Sequence, residues 1–205
     1  MQIITEDIYK GMDLILDQFN NKSTIISIAG GSCSGKTGLI KNLQKELNND
    51  LVVLALDSYY LNDNKTGNFD HPDALDLSLA YEHLIDLKNN MPINKPVYDF
   101  KTSSRIGFEE VYPKKHILFE GLFSLYSMFR EISNYNVFMD VDINVALERR
   151  IKRDVLERGR KEVDVIRQFY ETVKPMYELF IKPQKQIADL VIVNNTYRPE
   201  FNKAR

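Results

Sequence analysis

Apolar residues gather along this chain in five short consecutive runs, "TIISIA", "LVVLALD", "HILFEG", "VFMDVD" and "ADLVIV". Consecutive instead of alternating apolar positions are what strands covered on both faces of a parallel sheet require. Between the runs the spacing becomes helical. Leu39, Ile40, Leu43 and Leu47 form one stripe, Leu77, Ala80, Leu84 and Leu87 a second, and Ile143, Leu147, Ile151 and Val155 a third. The alternation predicts an α/β fold, a five-stranded parallel sheet flanked by helices. Ile8, Met12, Ile15, Leu16 and Phe19 add an amphipathic helix within residues 1–22, expected to serve packing or an oligomer contact. Residues 91–115, "MPINKPVYDFKTSSRIGFEEVYPKK", break the pattern with three prolines and short aromatic or β-branched runs, and read as a small antiparallel flap on the sheet edge.

Composition bounds the rest. With 205 residues, 43% hydrophobic and 27% charged, residues 1–205 are expected to form a single soluble domain. A formal charge of -2 gives no ground for nucleic-acid or acidic-membrane binding by the whole chain, so any anion site must be local. No apolar run approaches the roughly 18 residues needed to span a bilayer. The lone Cys33 cannot form an internal disulfide, and the N-terminal "MQIITEDIYKGMDLILDQF" carries acidic residues where a signal peptide needs an apolar core. A cytoplasmic protein is expected.

Between the first apolar run and the first helical stripe lies "GGSCSGKT", where Gly30, Gly35, Lys36 and Thr37 fit G-x-x-x-x-G-K-S/T. A strand before and a helix after are the context that a phosphate-binding loop needs. Residues Gly30, Gly31, Ser32, Cys33, Ser34, Gly35, Lys36, Thr37 and Gly38 are therefore candidates for cradling a nucleotide. Glycines let backbone N–H groups turn onto phosphate oxygens, Lys36 reaches the outer phosphates, and the Thr37 hydroxyl can meet Mg²⁺. Cys33 sits at a variable position and reads as a small loop filler.

Phosphoryl transfer needs a carboxylate near the acceptor, and Asp57 closes the second predicted strand on the same rim as the loop. Glu120 closes the third and could hold Mg²⁺ through water. In "ERRIKRDVLERGRK", Arg150 and Arg153 share a helix face, with Glu148, Asp154 and Glu157 as available ion-pair partners. Gly159 breaks the run between Arg158 and Arg160, which suits a lid over residues 153–165 that closes arginines on a transferring phosphoryl group.

Taken together, "GGSCSGKT", "DSYY", "NFDHPDALD", "PVYDFKTSSR", "FEGL", "RRIKRDVLERGR" and "VKPMYELFIKP" with the following "AD" resemble the uridine kinase family over residues 24–193. These are P-loop kinases that phosphorylate the 5′-hydroxyl of uridine and cytidine. The resemblance implies ATP or GTP as donor, Mg²⁺ as cofactor, and a homo-oligomer, tetramer or dimer. It implies that Asp57 orients or deprotonates the hydroxyl, that Lys36, Thr37, Arg153 and Arg158 attend the triphosphate, and that Thr37, Asp57 and Glu120 surround Mg²⁺. It places Asp70, Arg150 and Gln168 at the ribose, Tyr60, Phe69, Tyr98 and Phe100 around the nucleobase, with Arg105 in the substrate site and Arg160 near the base. Asp73 and Asp76 read instead as cap or turn residues, and His71 as structural. One position departs from the family: Ser103 stands where a base-reading histidine is common. Uridine and cytidine recognition, preference for one of them, or another acceptor such as a sugar phosphate or pantothenate all remain open on that ground. A non-catalytic nucleotide-binding regulator is the alternative from another class.

Overall fold

The computed structural model describes residues 1–19, 22–62 and 67–196. Its main sheet is wholly parallel and runs β1 (Ile3–Thr5), β8 (Leu190–Val193), β7 (Tyr135–Asp140), β2 (Thr24–Gly30), β6 (His116–Gly121), β3 (Leu51–Ala55) in spatial order. The five expected strands are all present, and the sheet has a sixth. That extra strand, β1, pairs Ile3 with Leu190 at the edge. It left no apolar run to read, because Ile3 and Ile4 are exposed and only Thr5 is buried.

Helices cover both faces. On one side α1 (Ile8–Leu16) and α2 (Lys36–Leu47) pack Ile8, Ile15, Leu39 and Leu43 against Ile26, Ile28, Met139 and Ile192. On the other, α3 (Leu77–Lys88) buries Ala80, Leu84 and Leu87 with Ile25, Phe119 and Phe138. Asp76 caps α3, accepting from the Leu79 N–H at 3.2 Å. The flap is a two-stranded antiparallel sheet of β4 (Ile93–Asp99) and β5 (Ser104–Val111), bulged between Val97 and Tyr98.

After the short α4 (Ser127–Arg130), helix α5 (Ile143–Arg158) departs from the expected apolar stripe. Its buried positions are Ala146, Arg150 and Asp154, while Val155 is more than a third exposed. The helix ends at Gly159, whose φ of 63° reverses the chain into α6 (Glu162–Gln168). The helical run then widens into π-type turns at Phe169–Val173 and Tyr177–Ile181. An α-helix drifts on a strict four-residue repeat, and wider turns correct the drift. The result keeps Val165, Phe169, Val173, Tyr177 and Ile181 buried in one line.

Candidate active site

The site is assembled where β2, β3, β6 and β7 end. The loop after β2 turns through Cys33 at φ 63° and Gly35 at φ 101° into the first turn of α2, which carries Thr37 and Gly38. Gly35 is required twice over, since its backbone is left-handed and a Cβ there would strike the Asn194 amide. That amide donates to the Ser34 carbonyl at 2.9 Å, bracing the loop from the end of β8. Lys36 Nζ donates to the Gly30 and Gly31 carbonyls at 2.7 and 3.2 Å. The Ser34 hydroxyl is buried without a hydrogen-bond partner among the described residues. A hydroxyl and an ammonium gathered inside a loop of backbone turns suit a phosphate chain.

On the neighbouring strands, Ala55 of β3 lies opposite Glu120 of β6. Asp57 follows, exposed, in the 3-10 turn Leu56–Tyr59, whose two end residues are buried. Glu120 and Asp57 thus flank the loop from the next strand and the one beyond, with Thr37 at the helix start. No cluster of three acidic, histidine or cysteine side chains able to cage a metal occurs among the described residues. A hydroxyl and two carboxylates nonetheless fit Mg²⁺, which takes few protein oxygens and fills its shell with water and substrate phosphates.

An aromatic wall lies beyond Asp57. The Tyr60 ring packs at 5.5 Å from Phe69, 5.3 Å from Tyr98 and 5.9 Å from Phe100, with Tyr98 and Phe100 5.2 Å apart. The Tyr60 hydroxyl donates to the Phe69 carbonyl at 3.0 Å. Burial pushes the Tyr60 phenol well up, and the Asp57 and Asp70 charges push the same way. Asp70 is itself buried, lining a crevice with Gly31, Ser32, Phe169 and Tyr177. Burial raises its carboxyl above the ordinary range, opposed by the Arg150 guanidinium and reinforced by Asp57. Ser103 turns at φ 53° between the flap strands, and burial raises the Tyr98 phenol, whose hydroxyl has no hydrogen-bond partner among the described residues.

The arginines converge. Arg150 donates to the Ser32 hydroxyl at 3.2 Å and to Gln168 Oε1 at 3.4 Å, and Arg160 donates to the same Gln168 oxygen at 2.7 Å. Arg153 and Arg158 contact Asp154 at 2.8 and 3.5 Å. Burial, then the adjacent Arg153 charge, lowers the Arg158 guanidinium. Gln168 is inward, tied to two arginines, where helix position alone would have turned it to solvent.

Arg105, expected in the substrate site, ties the flap to its neighbours. Arg105 gives its guanidinium to the carbonyls of Tyr60 and Tyr59 at 2.9 and 3.0 Å and to Asp76 at 3.3 Å, so it holds the flap to the turn carrying Asp57. His71 also has a structural post, accepting from the Asp73 N–H at 3.2 Å and packing on Phe180.

A phosphate loop at the carboxyl rim of a parallel sheet, under a basic helix-turn-helix, defines a P-loop kinase. Residues 25–197 match the model of the phosphoribulokinase/uridine kinase family, and the chain belongs to that family. It is 39% identical over 190 residues to the uridine kinase of Enterobacter sp. (strain 638), an alignment spanning 84% of this chain and 88% of that protein. In fold it is similar to a fructose transport system kinase, itself putative, from Silicibacter sp. TM1040, at TM-score 0.72 and 16% identity over 91% of this chain and 99% of that one. A possible uridine kinase from Bacillus stearothermophilus matches at TM-score 0.65 and 20% identity, over 90% and 96% of the two chains.

Proposed function

We propose that this uridine kinase-type enzyme moves the γ-phosphate of ATP or GTP to the 5′-hydroxyl of a pyrimidine ribonucleoside, uridine or cytidine, in pyrimidine salvage in the cytoplasm. The observation that carries this reading is the position of Asp57, between the phosphate loop and the Tyr60 wall, with Asp70 inside its electrostatic reach. The oxygen of the acceptor attacks the γ-phosphorus, the bond from that phosphorus to the β,γ-bridging oxygen breaks, and the hydroxyl proton passes to Asp57 while the nucleoside diphosphate leaves. Lys36, Arg153 and Arg158 stabilise charge on the transferring group. Mg²⁺, when bound by Thr37, Asp57 and Glu120, supplies further neutralisation of the triphosphate.

Asp70, Arg150 and Gln168 hold the ribose hydroxyls, while Phe69, Tyr98 and Phe100 stack beside the base and Arg160 approaches it. A lid that brings arginines down also excludes water as a competing acceptor. By family resemblance the working form is a homo-oligomer. Ser103 in the position of the family's histidine favours one second reading, a kinase for another small hydroxyl metabolite. ADP release with ATP and Mg²⁺, measured against uridine, cytidine, adenosine, ribose, pantothenate and a no-acceptor blank, separates the two. Stimulation by uridine or cytidine is expected, and stimulation by neither of them retires the pyrimidine assignment.

A further inference from the structure

The geometry points to Asp154 as the positioning residue of the lid, a buried carboxylate that holds four arginines together and so sets Arg153 and Arg158 in place for the triphosphate. It rests on the reading of Arg153 and Arg158 as phosphate-facing groups. Asp154 is fully buried, on the inward stripe of α5 with Ala146 and Arg150. One of its oxygens takes Arg153 at 2.8 Å from both Nε and a terminal nitrogen, and Arg158 at 3.5 Å. The other takes Arg160 at 3.4 Å and faces Arg150 at 3.7 Å. Its main-chain carbonyl accepts from the Gly159 and Arg160 N–H groups, so the residue fixes the lid turn as well as its side chains.

Among the described residues Asp154 is the one carboxylate paired with all four guanidinium groups, and with Asp70 and Glu157 acting only at longer range it does not neutralise them. Arg158 and Arg160 keep 45% and 33% of their side chains exposed, while Arg150 reaches the phosphate loop through Ser32. The cluster is therefore held together but left strongly cationic on the side facing the loop, which is the arrangement a polyanion meets without first paying to gather its own ligands. Glu148 and Glu157 stand on the same helix but make no ion pair with these arginines among the described residues, so Asp154 has no substitute. The signal in the sequence was faint, since acids inside a basic helical run usually form solvated pairs.

The test is a double-mutant cycle of Asp154→Asn with Arg158→Ala, read both as ATP affinity by calorimetry without acceptor and as kcat with acceptor. Asp154→Asn alone is expected to lower kcat at least tenfold. In the Arg158→Ala background the same change should cost at least threefold less than it does alone, because one of the arginines that Asp154 positions is gone while Arg153 remains. Full multiplication of the two losses, or a kcat within twofold of wild type for Asp154→Asn, overturns the inference. Should Asp154→Asn not fold by circular dichroism, Asp154→Glu keeps the charge but displaces it, and it carries the same expectation and the same refutation. Wild-type protein that binds ATP yet turns over neither uridine nor cytidine sinks the pyrimidine reading alone, and the affinity cycle then decides on Asp154: coupling supports it, additivity overturns it.

Discussion

The Arg105 guanidinium donates to the Tyr60 main-chain carbonyl at 2.9 Å, joining the flap to the turn that carries Asp57. The same side chain also reaches the Tyr59 carbonyl and the Asp76 carboxylate, the cap of α3. Three elements thus meet on one fork. Arg105→Ala should destabilise the protein by about 2 kcal/mol, the scale of a charge-assisted hydrogen bond lost in a half-buried place. The aromatic wall loses its brace too, so KM for the nucleoside should rise about tenfold while ATP affinity stays within twofold. Urea unfolding and steady-state kinetics check both, and Arg105→Lys should recover little, because an ammonium cannot span the fork.

What the sequence disclosed and what it hid divide on physical grounds. The phosphate loop was legible because its geometry is local: Gly35 and Lys36 are fixed by the turn they sit in. Strands β2, β3, β6, β7 and β8 were legible because burial on both faces leaves an unbroken apolar run. Strand β1 was hidden, since three residues with two exposed isoleucines carry no such mark. The contacts of Arg105 and Gln168 were hidden for another reason. Arg105 meets partners 29 to 46 residues away, and Gln168 meets Arg150 across a chain reversal, contacts that no helical or strand period encodes. The inward face of α5 was misread because its buried stripe is polar.

Ser103 gives a specificity prediction. Its φ of 53° lies in the left-handed region, where histidine is among the better tolerated residues, so Ser103→His should fold with little change in Tm. Placed against Tyr98 and the base, the imidazole should change the uridine-to-cytidine ratio of kcat/KM by about fivefold or more, the worth of one net hydrogen bond. An unchanged ratio would show that this position does not read the base.

Asp70 makes stability depend on pH. Burial raises its folded carboxyl above the ordinary value, so the folded state holds the proton more tightly than the unfolded one. The carboxylate form therefore costs stability, a cost that is absent below the unfolded value of about 4 and grows as pH rises through the raised folded value. Asp70→Asn removes that penalty. Thermal melts should show the variant gaining Tm over wild type at pH 7.5 and losing that advantage at pH 4, while its KM for the nucleoside rises. A gain that is equal at both pH values would exclude burial of the charge as its origin.

Asp57 is placed for chemistry more than for folding. It is exposed in a short turn, its side chain makes no ion pair among the described residues, and its charge is felt at Tyr60 and Asp70. Asp57→Asn should leave the melt within a degree or two, since exposed substitutions of this kind change stability by about 0.5 kcal/mol or less. An amide cannot take the hydroxyl proton, so kcat should fall at least ~10²-fold, the usual contribution of a positioned base. ATP binding should persist, because Lys36, Ser34 and the loop N–H groups are untouched. A variant that keeps more than roughly a tenth of the wild-type kcat would strip Asp57 of the base role. Loss of ATP affinity in parallel with kcat would make it a donor-binding residue instead.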